Sequence, residues 1–227
     1  MSNQAKQSLS AALRWLSLGS VAGPVLFTSA WFVLGLVSTG FALPDRVVSP
    51  YSAVSHPISG LGLGATGPFM NAAFVAGGLL CLVGVVAALQ GIDHLSARER
   101  WTASALLGLS GLGMIMDGFF TLESFGLHML GFLFAAAAPV VGFVVLGVAL
   151  RRHPAWRRLG GVLLVAGPLN LLLVVVALAT FDPVLAGEGR GMAGLTQRIW
   201  ALHLHAGFVA LGWSAFSSFT KPAVFQH

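Results

Sequence analysis

Residues 68–92 read PFMNAAFVAGGLLCLVGVVAALQGI and contain no charged side chain. At a rise of about 1.5 Å per residue, a helix of this length crosses the roughly 30 Å of hydrocarbon in a bilayer. Pro68 stands at the start of the run, where the first turn of a helix tolerates proline. The run therefore predicts a transmembrane helix.

Five further apolar runs have a similar length, so the sequence predicts an all-α bundle of six transmembrane helices. The runs lie approximately at 15–41, 68–92, 101–121, 127–150, 157–181 and 197–219. The composition agrees, since 56% of the residues are hydrophobic and 8% are charged, against about 25% charged in soluble domains. No polar stretch is long enough to fold separately, and residues 1–227 are expected to form a single membrane domain.

The lysines and arginines predict the orientation of this bundle. Nine of them fall in the two termini and in every second connection, at Lys6, Arg14, Arg98, Arg100, Arg151, Arg152, Arg157, Arg158 and Lys221. The other three are Arg46, Arg190 and Arg198. Because basic loops stay in the cytoplasm, both termini are predicted inside, and the connections near 42–67, 120–126 and 182–196 outside.

The net charge of +5 indicates contact with membrane lipids and not with nucleic acid. The basic residues lie in short loops between apolar runs, where they set topology and contact anionic headgroups. No basic patch with interleaved aromatic residues is present. Ten of the twelve basic residues are arginine, a bias that favours a bacterial source and hence the inner membrane. The sequence does not predict the oligomeric state.

The connection between the first two helices is long and unusual. Residues 42–67 are too apolar for a free linker and too rich in Pro and Gly for a spanning helix. Leaving Ile58, Leu61 and Leu63 in water would cost about 1.5–3 kcal/mol for each large apolar side chain. The segment is therefore expected to fold back over the mouth of the bundle.

Ionisable residues within membrane helices are candidates for function, and here they gather toward the outer ends of the helices. Helical spacing places Asp117 on one face with Gly113, Ser110, Leu106 and Ala103. Such a stripe of small residues packs against other helices. Asp117 is thus expected to point inward and to pair with Arg198, directly or through His128. Whether that pair is a scaffold or part of a site stays open.

His203 and His205 allow two interpretations. Residues two apart on a helix point about 200° apart, so only one of them faces the interior. His203 shares its face with small and polar residues, and it is the one expected inside. The sequence predicts no cofactor, but one alternative is a zinc ion, since histidine and carboxylate are zinc ligands. Its ligands would be His56, Asp117, His128 and His203.

Three segments together resemble a known membrane family. They are Tyr51–Gly62 with Met70-Asn71, then Gly118-Phe119-Phe120 with His128, and finally Gly194–Ile199 with Trp213. In their order and topology they resemble the bacterial and archaeal family called domain of unknown function 998. The resemblance covers nearly the whole chain and implies a compact six-helix bundle without an established activity. Members often carry an acidic residue where this chain has Gly60.

These observations favour a protein that binds a lipid headgroup or a small amphiphile in a polar pocket at the outer side. The candidate ligand-binding residues are His56, Ser59, Asn71, Asp117, His128, Arg198 and His203. A metal-dependent membrane hydrolase acting on lipids is one alternative, and a small-molecule transporter is another. Whether the protein is an enzyme stays open, and no catalytic residue is identified from the sequence.

Overall fold

The computed structural model describes residues 3–43 and 46–218, with side chains from residue 7 onward. Its helices are α1 Asn3–Ser17, α2 Gly19–Val37, α3 Gly67–Gln90, α4 Ala97–Phe119, α5 Phe125–Arg151, α6 Arg157–Ala179, α7 Pro183–Gly187 and α8 Ala193–Ser218. Within these ranges six helical stretches are long and apolar enough to cross a membrane, the first being Gln7–Val37 across α1 and α2. The predicted six-helix membrane fold is confirmed.

The ends of the helices differ from the apolar runs for local reasons. Helix α4 begins four residues before the predicted position, because Ser96 and Glu99 form a capping box. The Ser96 hydroxyl accepts a hydrogen bond from the Glu99 N–H at 3.2 Å, and the Glu99 carboxylate accepts one from the Ser96 N–H at 2.9 Å. Such a cap stabilises a charged first turn that hydropathy alone does not detect.

The first membrane helix ends earlier than the apolar run that predicts it. Helix α2 ends at Val37, and two short antiparallel strands follow, β1 Phe41–Leu43 and β2 Arg46–Val48. Phe41 pairs with Val48 in this hairpin. Gly40 has φ +132, a conformation open to glycine and strained for other residues, and it turns the chain from the helix into the strand.

The membrane helices form a closed ring in which α2, α3, α4, α5, α6 and α8 each pack on the next, and α8 packs back on α2. Glycines allow close approach between them. A Cβ on Gly84 of α3 would lie 1.8 Å from the Ser20 nitrogen of α2, and one on Gly113 of α4 would lie 2.3 Å from the Gly131 oxygen of α5. Inside a bilayer the hydrophobic effect does not drive helices together, and close packing at small residues stabilises their association instead.

The connection between α2 and α3, residues 38–66, folds onto one end of the ring, called here the hairpin end. Residues 58–62 form a 3₁₀ turn, and Ile58, Leu61 and Leu63 are buried, as their apolar character predicts. The same end carries the α4–α5 connection and the short helix α7. This end positions the candidate site.

Candidate functional site

Arg198, in the second turn of α8, holds the hairpin-end connection onto the bundle. Its guanidinium donates hydrogen bonds to the carbonyls of Ala53 at 2.8 Å, His56 at 3.0 Å and Gly194 at 2.9 Å. It also donates to the Tyr51 hydroxyl at 2.5 Å. The side chain is 6% exposed. We call Tyr51, His56 and Arg198 the clasp.

Aromatic and glycine residues complete this arrangement. The guanidinium carbon lies 5.3 Å from the ring centre of Trp31, within the range of a cation–π contact. A Cβ on Gly194 would lie 2.2 Å from the His56 carbonyl oxygen. The absence of a side chain at Gly194 therefore lets the connection approach α8 closely.

His56 is bound at both ring nitrogens by backbone groups. Its Nδ1 accepts from the Ser52 N–H at 2.7 Å, and its Nε2 donates to the Ala186 carbonyl at 2.8 Å. An imidazole that accepts at one nitrogen and donates at the other is neutral. Burial lowers the pKa of His56, and the hydrogen bond to Ala186 acts in the opposite direction. His56 therefore links the connection to α7 as a neutral structural residue.

Tyr51 lies between these two residues. Burial raises the pKa of its phenol, and the positive charge of Arg198 opposes that shift. The phenol thus stays protonated. Its oxygen accepts from Arg198, and its O–H lies 3.4 Å from the Pro57 carbonyl.

The predicted ion pair between Asp117 and Arg198 is wrong. Arg198 donates instead to two carbonyls of the connection, to the Gly194 carbonyl of α8 and to Tyr51. Within the described chain the ionisable group near Asp117 is His128, whose Nδ1 lies 3.5 Å from the Asp117 Oδ1. The three carbonyls and one hydroxyl that accept from Arg198 carry no charge, so a prediction based on opposite charges could not identify them.

Asp117 and His128 belong to a second site, a cavity of about 50 Å³ inside the ring, which we call the polar chamber. Its polar walls are Ser59, Ser110, Asp117, His128, Gln197 and His205. Aromatic side chains of α2, α3, α5 and α8 form much of the remaining wall. The volume suits a few water molecules or one small polar group.

Asp117 lines this chamber with a carboxylate that is incompletely paired. The residue is 6% exposed, and among the described residues its Oδ1 has no hydrogen-bond donor. A Cβ on Gly131 of α5 would lie 2.3 Å from that oxygen, so the carboxylate occupies the space left by the glycine. The small-residue face predicted for α4 does pack on α5, where the Ser110 hydroxyl donates to the Ala135 carbonyl at 3.1 Å.

His128, at the start of α5, is oriented by the chain itself. Its Nδ1 lies 2.8 Å from the Phe120 carbonyl, so this nitrogen carries the proton. In the neutral ring Nε2 is then an acceptor. His128 therefore offers the chamber an acceptor beside the Asp117 carboxylate.

The prediction that His203 faces inward is wrong. His205 is the buried histidine, at 7% exposed, and it lines the polar chamber with its Nδ1 2.8 Å from the Thr28 hydroxyl. His203 is half-buried, and its Nε2 lies 3.0 Å from the Ala166 carbonyl of α6. His203 therefore contacts α6, although its neighbour on the same face, Gly207, packs on Phe143 of α5.

Gln197 was missed from the sequence. Its Oε1 accepts from the Ile58 N–H at 2.7 Å, so one side chain of α8 both anchors the connection and lines the chamber. The feature of the sequence that could have identified Gln197 is its place in the segment 194–199, next to Arg198. A neutral amide beside an arginine carries no charge that would mark it as unusual within a membrane helix.

Asn71 lies outside the chamber. Its Nδ2 donates to the Gly62 carbonyl at 3.0 Å, so it fastens the connection to α3. The seven sequence-predicted residues therefore fall into three groups. Ser59, Asp117 and His128 line the chamber, whereas His56, Asn71 and Arg198 hold the connection, and His203 contacts α6.

The zinc arrangement proposed as an alternative is not assembled. Across residues 3–43 and 46–218, no group of three or more histidine, cysteine or acidic residues could hold a metal ion. His56 uses both nitrogens on backbone groups. Asn170, a polar residue near mid-membrane, is likewise satisfied, since it bonds the Ala136 carbonyl and the Trp200 indole at 3.0 Å each.

A groove and a further cavity lie between the polar chamber and the hairpin end, and we call these two together the passage. Next to the chamber lies a groove of about 60 Å³ between α5, α6 and α8. The walls common to both are Ser59, His128, Phe132 and Gln197. Beyond the groove, under the hairpin and α7, lies a cavity of about 200 Å³, the hairpin cavity. The walls common to groove and hairpin cavity are Pro57, Leu122, Phe125 and Phe181.

Comparison with known proteins agrees with the resemblance noted from the sequence. The sequence model of a family described as "Protein of unknown function (DUF998)" matches residues 21–214. No curated protein and no solved structure matches the chain.

Proposed function

The chain belongs to the DUF998 family of multi-pass membrane proteins, and since the function of that family is unknown, we propose one from the cavity geometry. The protein binds a small single-chain amphiphile. The polar head of the amphiphile lies in the polar chamber, and its hydrocarbon chain lies in the groove and the hairpin cavity.

The observation that carries this proposal is the sequence of shared walls. The chamber contains the polar side chains. The groove shares four lining residues with the chamber, and the hairpin cavity shares four with the groove. A polar end followed by an apolar passage matches the shape and polarity of an amphiphile. Binding sites for small molecules are mostly apolar with a few placed polar groups.

The energetics favour a chain over a purely polar ligand. Each methylene removed from water contributes about 0.8 kcal/mol. An amphiphile already in the bilayer gains less than this, because the lipid tails are as apolar as the groove. Affinity above that of bulk lipid must therefore come from the head, where the chamber offers Asp117, His128 and Ser59.

Photochemical labelling tests this proposal. A dodecanol with a diazirine near its chain end is added to the protein in phosphatidylcholine nanodiscs. Peptide mapping is expected to place the label on walls of the groove or the hairpin cavity, such as Phe125, Phe181 and Leu178. Label found only on the lipid-facing surface of α2 would contradict the proposal.

A pair of variants on α6 provides the control. Ala177 lines the groove, and Ala177→Phe should fill it and reduce labelling of the groove several-fold. Val175 lies two residues away, is 52% exposed and lines neither the groove nor the chamber. Val175→Phe should therefore leave labelling unchanged. Equal labelling of both variants would mean that the probe does not enter the groove.

A further inference from the structure

The unpaired carboxylate of Asp117 indicates what kind of head the chamber takes. Asp117 lines the cavity and is only 6% exposed, and its enclosed Oδ1 has no donor among the described residues. Ionisable groups within membrane helices are costly and normally pair with a partner. Here the space in which a partner would lie is the chamber.

The neighbouring groups of the protein do not supply that partner. Arg198 donates to the connection and to Tyr51. The His128 Nδ1 lies 3.5 Å from the carboxylate, but only 2.8 Å from the Phe120 carbonyl, to which it donates its hydrogen bond. The other polar walls are neutral. Among the described residues, the chamber is thus lined by the Asp117 carboxylate and the His128 imidazole and by no lysine or arginine.

Aromatic side chains add to this preference for positive charge. Phe27, Phe74, Phe132 and Trp200 line the same cavity. The face of an aromatic ring attracts a cation within about 6 Å of its centre. A cavity lined by a carboxylate and by aromatic side chains is therefore suited to a positively charged donor.

We propose that the polar chamber binds the protonated primary amine of a single-chain amphiphile, with Asp117 as its counter-ion. This inference rests on the proposed function and names the ligand class. A primary ammonium has three N–H donors, enough for Asp117, His128 and one hydroxyl of the wall. A cavity of about 50 Å³ accepts an ammonium group of about the size of water, but it is small for a trimethylammonium.

Competition against the diazirine-dodecanol probe tests the ligand class. The competitors are dodecylamine, dodecanol and dodecyltrimethylammonium, all with the same chain. Dodecylamine is expected to displace the probe at roughly tenfold lower concentration than dodecanol, a difference of about 1.4 kcal/mol. Dodecyltrimethylammonium should compete no better than dodecanol, because its head is too large.

Two conservative variants separate the charge of Asp117 from general effects. In Asp117→Asn the advantage of dodecylamine over dodecanol should disappear. In Glu99→Gln the advantage should persist. This variant also replaces a carboxylate of α4 by an amide, but Glu99 pairs with Arg152 at 2.9 Å, away from the chamber. Partition of the competitors into the bilayer is the same for each variant and cancels when the concentration ratios are compared.

The outcomes distinguish the inference from the proposed function. If the probe labels the groove but all three competitors act equally on the wild type, amphiphile binding stands and the amine preference is wrong. If the probe does not label the groove, the proposed function itself fails. Should Asp117→Asn not fold, the wild-type ranking still decides the matter once each competitor is counted by the amount dissolved in the nanodisc, and dodecanol equal to dodecylamine overturns the inference.

A final comparison identifies the source of the amine. The dodecylamine competition is repeated in nanodiscs of phosphatidylethanolamine, which is zwitterionic like phosphatidylcholine but carries a primary amine. A weaker effect of dodecylamine there means that the lipid headgroup itself occupies the chamber. An equal effect means that the site takes a free amine. Both results support a primary-amine site.

Discussion

Arg198 shows how the two terminal nitrogens of a buried guanidinium can be bound without a carboxylate. It donates to three carbonyls and one hydroxyl, and hydrogen bonds from a charged group are worth more than neutral ones. We expect Arg198→Gln to lower the free energy of unfolding by about 2–4 kcal/mol, because several buried acceptors lose their donor. Thermal or denaturant unfolding in detergent measures this loss.

The matched control is Arg190→Gln. Arg190 pairs with Glu188 at 3.2 Å, but its side chain is 70% exposed, and exposed pairs contribute at most about 1 kcal/mol.

A double-mutant cycle adds a second check. Arg198→Gln and Asp117→Asn share no partner, so their losses should add to within about 0.5 kcal/mol. A coupling well above 1 kcal/mol would mean that the two side chains interact after all.

The sequence could identify which residues matter more easily than what they contact. Asp117 and His128 stand out because ionisable groups are rare in apolar helices, and both line the chamber. The carbonyls that bind Arg198 belong to Ala53, His56 and Gly194, and backbone acceptors are the same in every residue. Neither spacing nor charge could therefore predict them.

At the scale of elements, we expect the hairpin-end connection to respond to pH. His56 is neutral in the fold, and burial lowers its pKa below the value near 6.5 of an exposed imidazole. The unfolded connection thus binds more protons in this range. The stabilisation by His56 is complete above about pH 6.5 and is lost as the pH falls toward the folded pKa.

Hydrogen exchange of residues 51–57 measures this effect. After correction for the intrinsic exchange rate, exchange should rise as the pH is lowered from about 7.5 to about 5.5, because a protonated His56 can no longer accept from Ser52. In His56→Gln, whose amide can both accept and donate, the rise should be absent. A wild type without the rise, or a His56→Gln with the same rise, would contradict this role of His56.

The long helices could be predicted because each is a run of apolar residues with the length of a bilayer. The β1–β2 hairpin could not, because three-residue strands leave no periodicity to detect. Helix α1 was likewise absent from the prediction, since its polar and apolar residues alternate without a continuous apolar run. The hairpin and α7 nevertheless form walls of the hairpin cavity, so the passage could not be predicted from hydropathy.

For the whole molecule, the ring has two unlike ends. One carries the clasp and the hairpin, and the other carries the arginine-rich connections, where Arg152 pairs with Glu99 and His94 stacks on His153. The excess of basic residues at the second end predicts that it faces the cytoplasm. The hairpin end, and with it the mouth of the passage, would then face outside.

Cysteine labelling tests this orientation. The only cysteine of the chain is Cys81, and a Cys81→Ala background removes it. Gln7 and Ser49 are both exposed and belong to opposite ends. In intact cells an impermeant maleimide should label Ser49→Cys at once and Gln7→Cys only after permeabilisation. The reverse pattern would invert the topology.

The central claim for the whole molecule is that the groove and the hairpin cavity hold a hydrocarbon chain whose head lies in the chamber. The most direct measurement is the anomalous scattering of bromine in crystals soaked with ω-bromododecanol, whose neutral head keeps the result independent of the charge on Asp117. The account predicts a bromine peak beside Phe125 and Phe181. Peaks confined to the lipid-facing surface, for example beside Phe32 of α2, with none in the passage, would contradict it.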